Sequence, residues 1–263
     1  QWESQADDFK IFSNEEWNAI QNNQWVNWID ELVRQGRQQS HNVTVSSNND
    51  KLSSYLSLGY YNEEGIFKKD DFTRYTLRVN LDYEVRKWLN IGVNSQLTYF
   101  DQNRVPSNML IQAMTYIPLG TPYDQNGEIN LFPVSGDAQR LSPLANYASD
   151  NKAIDNTIAL RSFNTAYLVL RPIEQLSWRS NLSTSVNSHR RGIYNGQYST
   201  NQYGGSYINQ AQVNKDLFRN YTWDNIITYS ENIGNHYLEA TGISTWIKNM
   251  DESYRNNPER RDS

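Results

Sequence analysis

The chain has 263 residues, of which 37% are hydrophobic and 13% aromatic, with a formal net charge of −5 and no cysteine. The hydrophobic share lies below the roughly 45–50% of ordinary globular domains, and the aromatic share is too high for a disordered chain, so both a conventional soluble enzyme and a disordered segment are disfavoured. The negative charge argues against nucleic-acid binding, and the absence of cysteine excludes disulfides and a thiol nucleophile.

Residues 1–39 are predicted to form a helical loop segment that precedes the strands. Residues 8–34 carry apolar side chains at helical spacing, and Ser13 to Glu16 resembles the start of a helix. We interpret this segment as short helices within a surface loop. A helix that lies at a membrane interface or binds a partner is the alternative.

From residue 40 onward, apolar and polar residues alternate with the period of a β-strand. The pattern is clearest at 75–83, where every odd position is apolar or aromatic and every even position is polar or charged. The strands are predicted in pairs joined by short turns. The pairs are 41–47 with 52–60, 75–83 with 89–99, 160–171 with 176–187, and 221–229 with 237–246. Strands of about ten residues can cross a bilayer when tilted by about 45°.

Short and long connections alternate along the chain. The links within pairs are a few residues long, as at Pro172 to Gln175, whereas the links between pairs span 61–71, 101–157 and 188–220. Long loops at one end and short turns at the other are typical of outer-membrane barrels. The sequence therefore predicts an all-β fold of antiparallel transmembrane β-barrel strands, a partial barrel of roughly eight strands with long extracellular loops and short periplasmic turns. We place the barrel segment at 40–247 and a polar loop or truncated tail at 248–263.

The aromatic side chains fall into two groups. Those near strand ends fit the aromatic girdles at the two membrane interfaces, with ligand contact as the alternative. They are Tyr60, Tyr83, Trp88, Tyr99, Trp178, Trp223, Tyr229 and Trp246. Those in the long loops lie among Asn, Gln and Ser, a mixture that can bind a sugar or a partner protein, with packing inside the loops as the alternative. These candidate substrate or partner contacts are Tyr116, Tyr123, Phe132, Tyr194, Tyr198, Tyr203 and Tyr207.

No motif for catalysis, a cofactor or a metal is present in the sequence. The three histidines lie far apart, and the stretch from Asp124 to Glu128 lacks the later glutamate of a calcium loop. Carboxylates are plentiful, but no motif places two of them as an acid and base pair. We therefore predict no catalytic residue, no cofactor and no metal site. Inward positions of the predicted strands would line a hydrated interior, namely Arg78, Asn80, Asn94, Gln96, Arg179 and Asn181.

An ordered series of short stretches carries a family resemblance. The series is His41-Asn42-Val43-Thr44-Val45-Ser46, Tyr55-Leu56-Ser57-Leu58-Gly59-Tyr60, Glu64-Gly65-Ile66, Trp88-Leu89-Asn90-Ile91-Gly92, Thr121-Pro122-Tyr123-Asp124, Ser142-Pro143-Leu144-Ala145 and Tyr221-Thr222-Trp223-Asp224-Asn225. In this order the stretches resemble the SusC/RagA family of TonB-linked outer-membrane transporters, from about residue 30 to residue 247.

The resemblance implies a function and a set of partners. Family members are much longer and have an N-terminal plug and a TonB-binding motif, neither of which is identifiable here, so we expect the chain to be an internal piece of the barrel. Expected by resemblance are import of glycans or peptides across the bacterial outer membrane, a SusD-like lipoprotein over the extracellular side, the TonB complex acting through the missing plug, and lipids around the wall. Such a protein is a transporter and not an enzyme, and carbohydrate uptake is among its expected roles.

Two other classes of protein remain open on the residues alone. One is a self-contained small outer-membrane barrel that acts as an adhesin or structural protein, although the polar tail speaks against it. The other is a soluble, secreted, sugar-binding β-sandwich, in which the apolar side of each strand would face a protein core.

Overall fold

The computed structural model describes residues 12–106, 108–134, 140–149, 151–199 and 208–256. The helices in these ranges are α1 (Asn14–Gln21), α2 (Trp28–Leu32) and α3 (Met109–Thr115), and a 3-10 turn covers Ala145–Tyr147. The strands are β1 (Arg37–Asn48), β2 (Leu52–Glu64), β3 (Asp71–Arg86), β4 (Leu89–Arg104), β5 (Ala153–Ile173), β6 (Leu176–Asn195), β7 (Gln210–Ile233) and β8 (His236–Asn256). None of the helices in these ranges is long and apolar enough to cross a membrane.

The helix start predicted at Ser13 is confirmed. The Ser13 hydroxyl accepts a hydrogen bond from the Glu16 backbone N–H at 3.2 Å, and the Glu16 carboxylate accepts one from the Ser13 N–H at 2.7 Å. This reciprocal capping box satisfies two backbone donors that a helix N-terminus leaves without partners. Helix α1 and α2 are the two helices found in the predicted helical segment, of which residues 8–11 lie outside the described part of the chain.

All eight strands form one antiparallel sheet in which the strand order follows the sequence from β1 to β8. The four predicted strand pairs are confirmed as hairpins, and their turns fall at residues 49–51, 87–88, 174–175 and 234–235. In the last of these turns, Gly234 has φ +61°, a conformation that glycine adopts without steric strain. The sheet is open, with β1 and β8 as its edge strands.

The turn predicted at Pro172 to Gln175 is shorter than expected. Pro172 lies inside β5, and only Glu174 and Gln175 connect β5 to β6. The pairing of β5 with β6 is irregular between Leu170 and Ile173. Because proline has no backbone N–H to donate to the ladder, it interrupts the pairing without ending the strand.

The strands extend beyond their predicted ends, on the side away from the short turns. The links between hairpins shrink to residues 65–70, 105–152 and 196–209, and β8 continues to Asn256, beyond the boundary placed at 247. Parts of these extensions are polar on both sides, as at His189 to Arg191. Alternation ends where both faces carry polar side chains, while the backbone ladder continues, and sequence periodicity cannot detect that part of a strand.

Successive hairpins are staggered along the strand direction. Leu52, the first residue of β2, pairs with Tyr83, three residues before β3 ends. The corresponding offset is three residues between β4 and β5 and four residues between β6 and β7. A constant stagger of one sign makes strands tilt relative to the line of their turns, which is the geometry that curves a sheet towards a barrel.

The compact hydrophobic core lies outside the sheet. Trp28, Leu32, Met109, Ala113 and Leu144 are buried against one another and form its centre. They belong to residues 12–36, 105–134 and 140–149, which together we call the cap. Because β1 begins and β4 ends at the side away from the short turns, the cap lies at that end of the sheet. The sheet itself is a single layer whose large apolar side chains are largely exposed.

Gly92 on β4 marks a close approach between the backbone and an aromatic ring. A Cβ at this position would lie 2.3 Å from Cζ of Tyr167, whose hydroxyl donates a hydrogen bond to Asp82. We expect Gly92→Ala to lower the free energy of unfolding of the full-length protein by about 1–3 kcal/mol, because the tyrosine ring must move out of its place. Chemical denaturation in lipid vesicles measures this change.

Gly242 on β8 provides the matched control, because a Cβ there has no neighbouring atom within 4 Å. Gly242→Ala should leave the unfolding free energy within about 0.5 kcal/mol of wild type. Equal effects of the two substitutions would contradict the steric explanation.

Candidate functional site

The sheet has two chemically different faces, and the strand registers assign each residue to one of them. The polar face carries the six inward positions predicted from the sequence: Arg78 pairs with Gln96, and Asn80 with Asn94. Asp82 pairs with Gly92, Gly92 with Tyr167 and Tyr167 with Asn181, so Asn181 lies on the same side. Arg179, which pairs with Val169, lies on this side as well. The opposite side, which we call the apolar face, carries residues such as Val43, Leu58, Leu77 and Leu97.

The apolar face bears rows of aromatic rings. His41, Tyr60, Tyr75 and Tyr99 follow one another across β1 to β4, with ring centroids 5.3–6.3 Å apart. All the predicted girdle residues that lie on strands share this face by register. The predicted girdle therefore corresponds to one continuous side of the sheet.

Polar side chains on the apolar face have hydrogen-bonding partners there. Ser180 and Asn225 are paired on β6 and β7. The Trp223 indole N–H donates to the Ser180 hydroxyl at 2.9 Å, and the Trp178 indole N–H donates to the Asn225 side-chain oxygen at 3.3 Å. Each indole N–H thus has an acceptor, and each acceptor oxygen has a donor. Such hydrogen bonds stabilise the fold most where no water is available to replace them.

The polar face contains a concavity of about 940 Å³, which we call the arginine concavity. Four arginines line it, and none of its lining residues is acidic. They are Arg74 and Arg78 on β3, Arg104 on β4 and Arg161 on β5. Phe72, Phe100 and Phe163 line it as well, and the remaining lining is mainly Asn, Gln, Ser and Thr. The concavity thus combines positive charge, aromatic surface and neutral hydrogen-bonding groups.

Three of the four guanidinium groups contact neutral neighbours. Arg74 lies over the Tyr61 ring, 5.1 Å from its centroid, and Arg161 lies 5.3 Å from the centroid of Phe100. Arg104 donates hydrogen bonds to Thr157 and Gln102. Among the described residues, none of the four forms a salt bridge. No carboxylate of the described residues therefore lies within ion-pair distance of them.

The cap holds several of the candidate loop aromatics. Tyr116 packs edge-on against Trp28, with centroids 5.0 Å apart, and its hydroxyl donates to the Arg140 carbonyl at 2.9 Å. The Trp28 indole N–H donates to the Ile117 carbonyl at 2.8 Å. Tyr116 is therefore part of the packing that holds the cap together.

Among the candidates that the structure describes, Tyr123 is the most exposed to solvent, at 40%. Its hydroxyl donates to the Glu31 carboxylate at 2.6 Å and so connects the 105–134 segment to α2. This hydrogen bond, with smaller contributions from burial and from the negative charge of Glu31, raises the pKa of Tyr123 to about 12. The tyrosine therefore remains neutral and able to donate throughout the physiological pH range.

Phe132 and Tyr198 are brought together from different links, with their rings edge-on and 5.6 Å apart. Tyr194 lies within β6 and pairs with Ile154 and Ala211. Tyr203 and Tyr207 lie outside the described residues. The structure thus brings two of the candidates into contact with each other, and the role of all seven in binding stays a prediction.

Sequence reasoning missed most of the arginine concavity. It identified Arg78 and Gln96 as inward, but not Arg74, Arg104 or Arg161. The even numbering of Arg74 and Arg78 on β3 is a signal that places both on one face. No comparable signal joins Arg161 to them, because the register between β4 and β5 follows a link of nearly fifty residues.

Comparisons with known proteins point to one class. No family model matches the chain. The chain is 26% identical over 225 residues to TonB-dependent receptor P26 of Formosa agariphila, an alignment that covers 84% of the chain and 22% of the relative. It is 22% identical over 219 residues to TonB-dependent receptor P39 of the same organism, covering 82% of the chain and 20% of the relative. The chain thus spans about a fifth of the length of these curated relatives.

Solved structures match the fold. The RagAB peptide importer in its closed-closed state superimposes with a TM-score of 0.65 at 16% identity, covering 91% of this chain and 28% of the matched chain. The open-open state gives the same TM-score at 17% identity, covering 89% and 27%. The predicted fold class is confirmed, since the open antiparallel sheet corresponds to part of the β-barrel in those structures.

Trp28 is the central side chain of the cap core and is only 2% exposed. Trp28→Ala should destabilise the cap by about 3–5 kcal/mol, because it removes a large buried side chain and its hydrogen bond to Ile117. Limited proteolysis of the full-length protein should then cleave within residues 105–149 at least about tenfold faster. The matched control is Trp25→Ala, which removes a 55% exposed tryptophan and should leave the cleavage rate unchanged.

The Tyr123–Glu31 hydrogen bond predicts a pH dependence. Because the folded-state pKa of Tyr123 is raised to about 12, its stabilising contribution is present below the unfolded tyrosine pKa of about 10 and is lost as the pH rises through 12. Glu31→Gln removes the carboxylate, so one tyrosine should ionise at lower pH in a titration followed at 295 nm. Asp30→Asn is the control, since Asp30 accepts a hydrogen bond from Asn27 instead. Identical titrations of wild type and Glu31→Gln would refute the assignment.

Proposed function

We propose that this chain, whose resemblance to SusC/RagA TonB-dependent transporters the comparisons confirm, forms part of the barrel wall of a transporter that imports oligomeric nutrients across the bacterial outer membrane. The observation that carries the proposal is the separation of a single-layer sheet into one apolar and one polar face. In lipid, a closed barrel satisfies every backbone hydrogen bond, and its residues alternate between lipid and interior.

The apolar face is assigned to the lipids. In the described residues, no second layer covers side chains such as Val43, Leu58 and Trp246, which are 53–65% exposed. A β-sandwich would bury this face against another sheet, so the exposure of these side chains disfavours the soluble alternative. Hydrocarbon chains would cover such a surface, and the aromatic rows would lie at the headgroups.

The polar face is assigned to the interior of the barrel. Its arginines, amides and hydroxyls would be hydrated there and would meet a cargo in transit. Passage then consists of binding and gated movement, without a bond made or broken, and the protein is not an enzyme.

The cap is assigned to the extracellular side, since it lies at the end with the long links. A SusD-like lipoprotein is its proposed partner, and the seven candidate aromatics are its proposed contacts with this partner or with cargo. Tyr116, Tyr123, Phe132 and Tyr198 lie in these links and Tyr194 at the end of β6, whereas Tyr203 and Tyr207 lie outside the described residues. The TonB complex would act through a plug encoded elsewhere in the full-length protein.

The proposed cargo is a peptide or a glycan. The matched solved structures are described as a peptide importer, and the family resemblance adds glycans, including carbohydrate uptake. The polar face can hydrogen-bond either cargo, since both present many donors and acceptors.

The test is to locate the native polypeptide and to measure transport. The chain should be recovered from the detergent-extracted outer-membrane fraction within a polypeptide several times larger than its 30.7 kDa. Cells that lack the gene, or that lack TonB, should lose uptake of labelled peptide and glycan mixtures. An outer-membrane polypeptide near 30.7 kDa would favour the small barrel, and recovery in the soluble fraction alone would favour the sandwich.

A further inference from the structure

We propose that the arginine concavity is a binding site for acidic peptides, whose carboxylates are held by Arg74, Arg78 and Arg161 during passage. The proposal rests on the proposed transport function and names the cargo class that this face selects.

Charge is the first argument. The chain as a whole has a net charge of −5, yet the concavity gathers four arginines and no carboxylate in its lining. Elsewhere in the described structure arginines do pair: Arg191 forms a bidentate ion pair with Asp155 at 2.6–2.8 Å, and Arg34 contacts Asp71 at 2.5 Å. Guanidinium groups that share one concave surface and lack an ion-pair partner in the described structure favour an anionic ligand, because guanidinium binds carboxylates with two parallel hydrogen bonds.

Spacing is the second argument. Arg74 and Arg78 are four residues apart on one face of β3, a distance of about 13 Å along the strand. Arg161 pairs with Thr98, which pairs with Thr76, so it lies level with the midpoint between them and two strands away. An extended peptide has the same repeat as a strand. A peptide lying along β3 would therefore present side chains at alternate positions to all three arginines.

The neutral lining is compatible with a peptide backbone. Gln96, Gln102 and Asn187 offer both donors and acceptors, which match the N–H and C=O that each peptide residue carries. Phe163, which is 56% exposed, offers apolar surface for a neighbouring side chain. Clusters of arginine are also an established mode of recognising acidic peptide motifs.

The experiment compares two labelled nine-residue peptides that differ only in charge, one with Glu and one with Gln at alternate positions. Uptake is measured in cells that produce the full-length transporter with its lipoprotein partner, with and without TonB. The Glu peptide should enter at least about tenfold faster, and raising the salt concentration should reduce the difference. The triple variant Arg74→Gln, Arg78→Gln, Arg161→Gln should bring the two rates within about twofold of each other.

Two further variants isolate the site from folding defects. Arg190 is exposed, lies on the apolar side of the sheet near the far end of β6, and serves as the matched control. Arg190→Gln removes the same charge and should retain the full preference for Glu. Arg78→Gln alone changes the lining arginine for which no neighbouring contact is found in the described structure. It should reduce the preference severalfold even if the triple variant does not reach the membrane.

The outcomes separate the two proposals. Equal TonB-dependent uptake of both peptides by wild type would overturn the acidic-peptide site and leave the transporter standing. Uptake of an acidic oligosaccharide in place of either peptide would do the same, assigning the arginines to a glycan. Loss of the preference in Arg190→Gln as well would attribute it to overall charge and not to the concavity. Absence of any TonB-dependent uptake would overturn both proposals.

Discussion

The two chemically different faces of the sheet depend on keeping the alternation of side chains in phase across eight strands. The backbone ladder fixes the phase, since directly paired residues always share a face. A slip of one residue in the β4–β5 pairing would move Arg161 to the side of Leu160 and Tyr99, and would bring apolar side chains into the concavity. The strand register therefore keeps arginines such as Arg161 on one face and apolar side chains such as Leu160 on the other, and it is maintained over strands of up to 24 residues.

The cap is stabilised by a different interaction from the sheet. Its core is held by burial, with Trp28 and Met109 joined across a large sequence separation. Arg34 connects it to the sheet through hydrogen bonds to the Gly65 carbonyl and to Asp71. This core also fixes the position of two loop aromatics, because Tyr116 packs against Trp28 and Tyr123 donates a hydrogen bond to Glu31, both on α2. Side chains in links without regular structure are thereby held in defined positions relative to the sheet.

The sequence predicts those parts of the structure that a local residue pattern determines, and it does not predict those that depend on contacts between distant segments. Alternation at 75–83 predicts β3 and its face, and the order of short and long links predicts the sheet. Alternation fails beyond the apolar zone, as at Gln102 to Arg104, because nothing there distinguishes the two sides. It also cannot join Trp28 to Leu144, or Arg161 to Arg78, since those contacts need a register that no local pattern encodes. The binding role of the loop aromatics stays a prediction for the same reason.

Because the hairpins are staggered, residues that lie at the same distance from their own turns are not always paired with one another. Measured along each strand from its own turn, Tyr60, Tyr75, Tyr99, Trp223 and Trp246 all lie nine to twelve residues away, although the three tyrosines form one row of the ladder and the two tryptophans another. Tyr83, Trp178 and Tyr229 lie within about five residues of their turns. Between the fourth and eleventh residue from a turn, the apolar side of the described strands carries no Asp, Glu, Lys or Arg. Counted in this way, two aromatic belts bound an uncharged zone ~20 Å high at a tilt of ~40°, close to the thickness of the apolar band of an outer-membrane barrel.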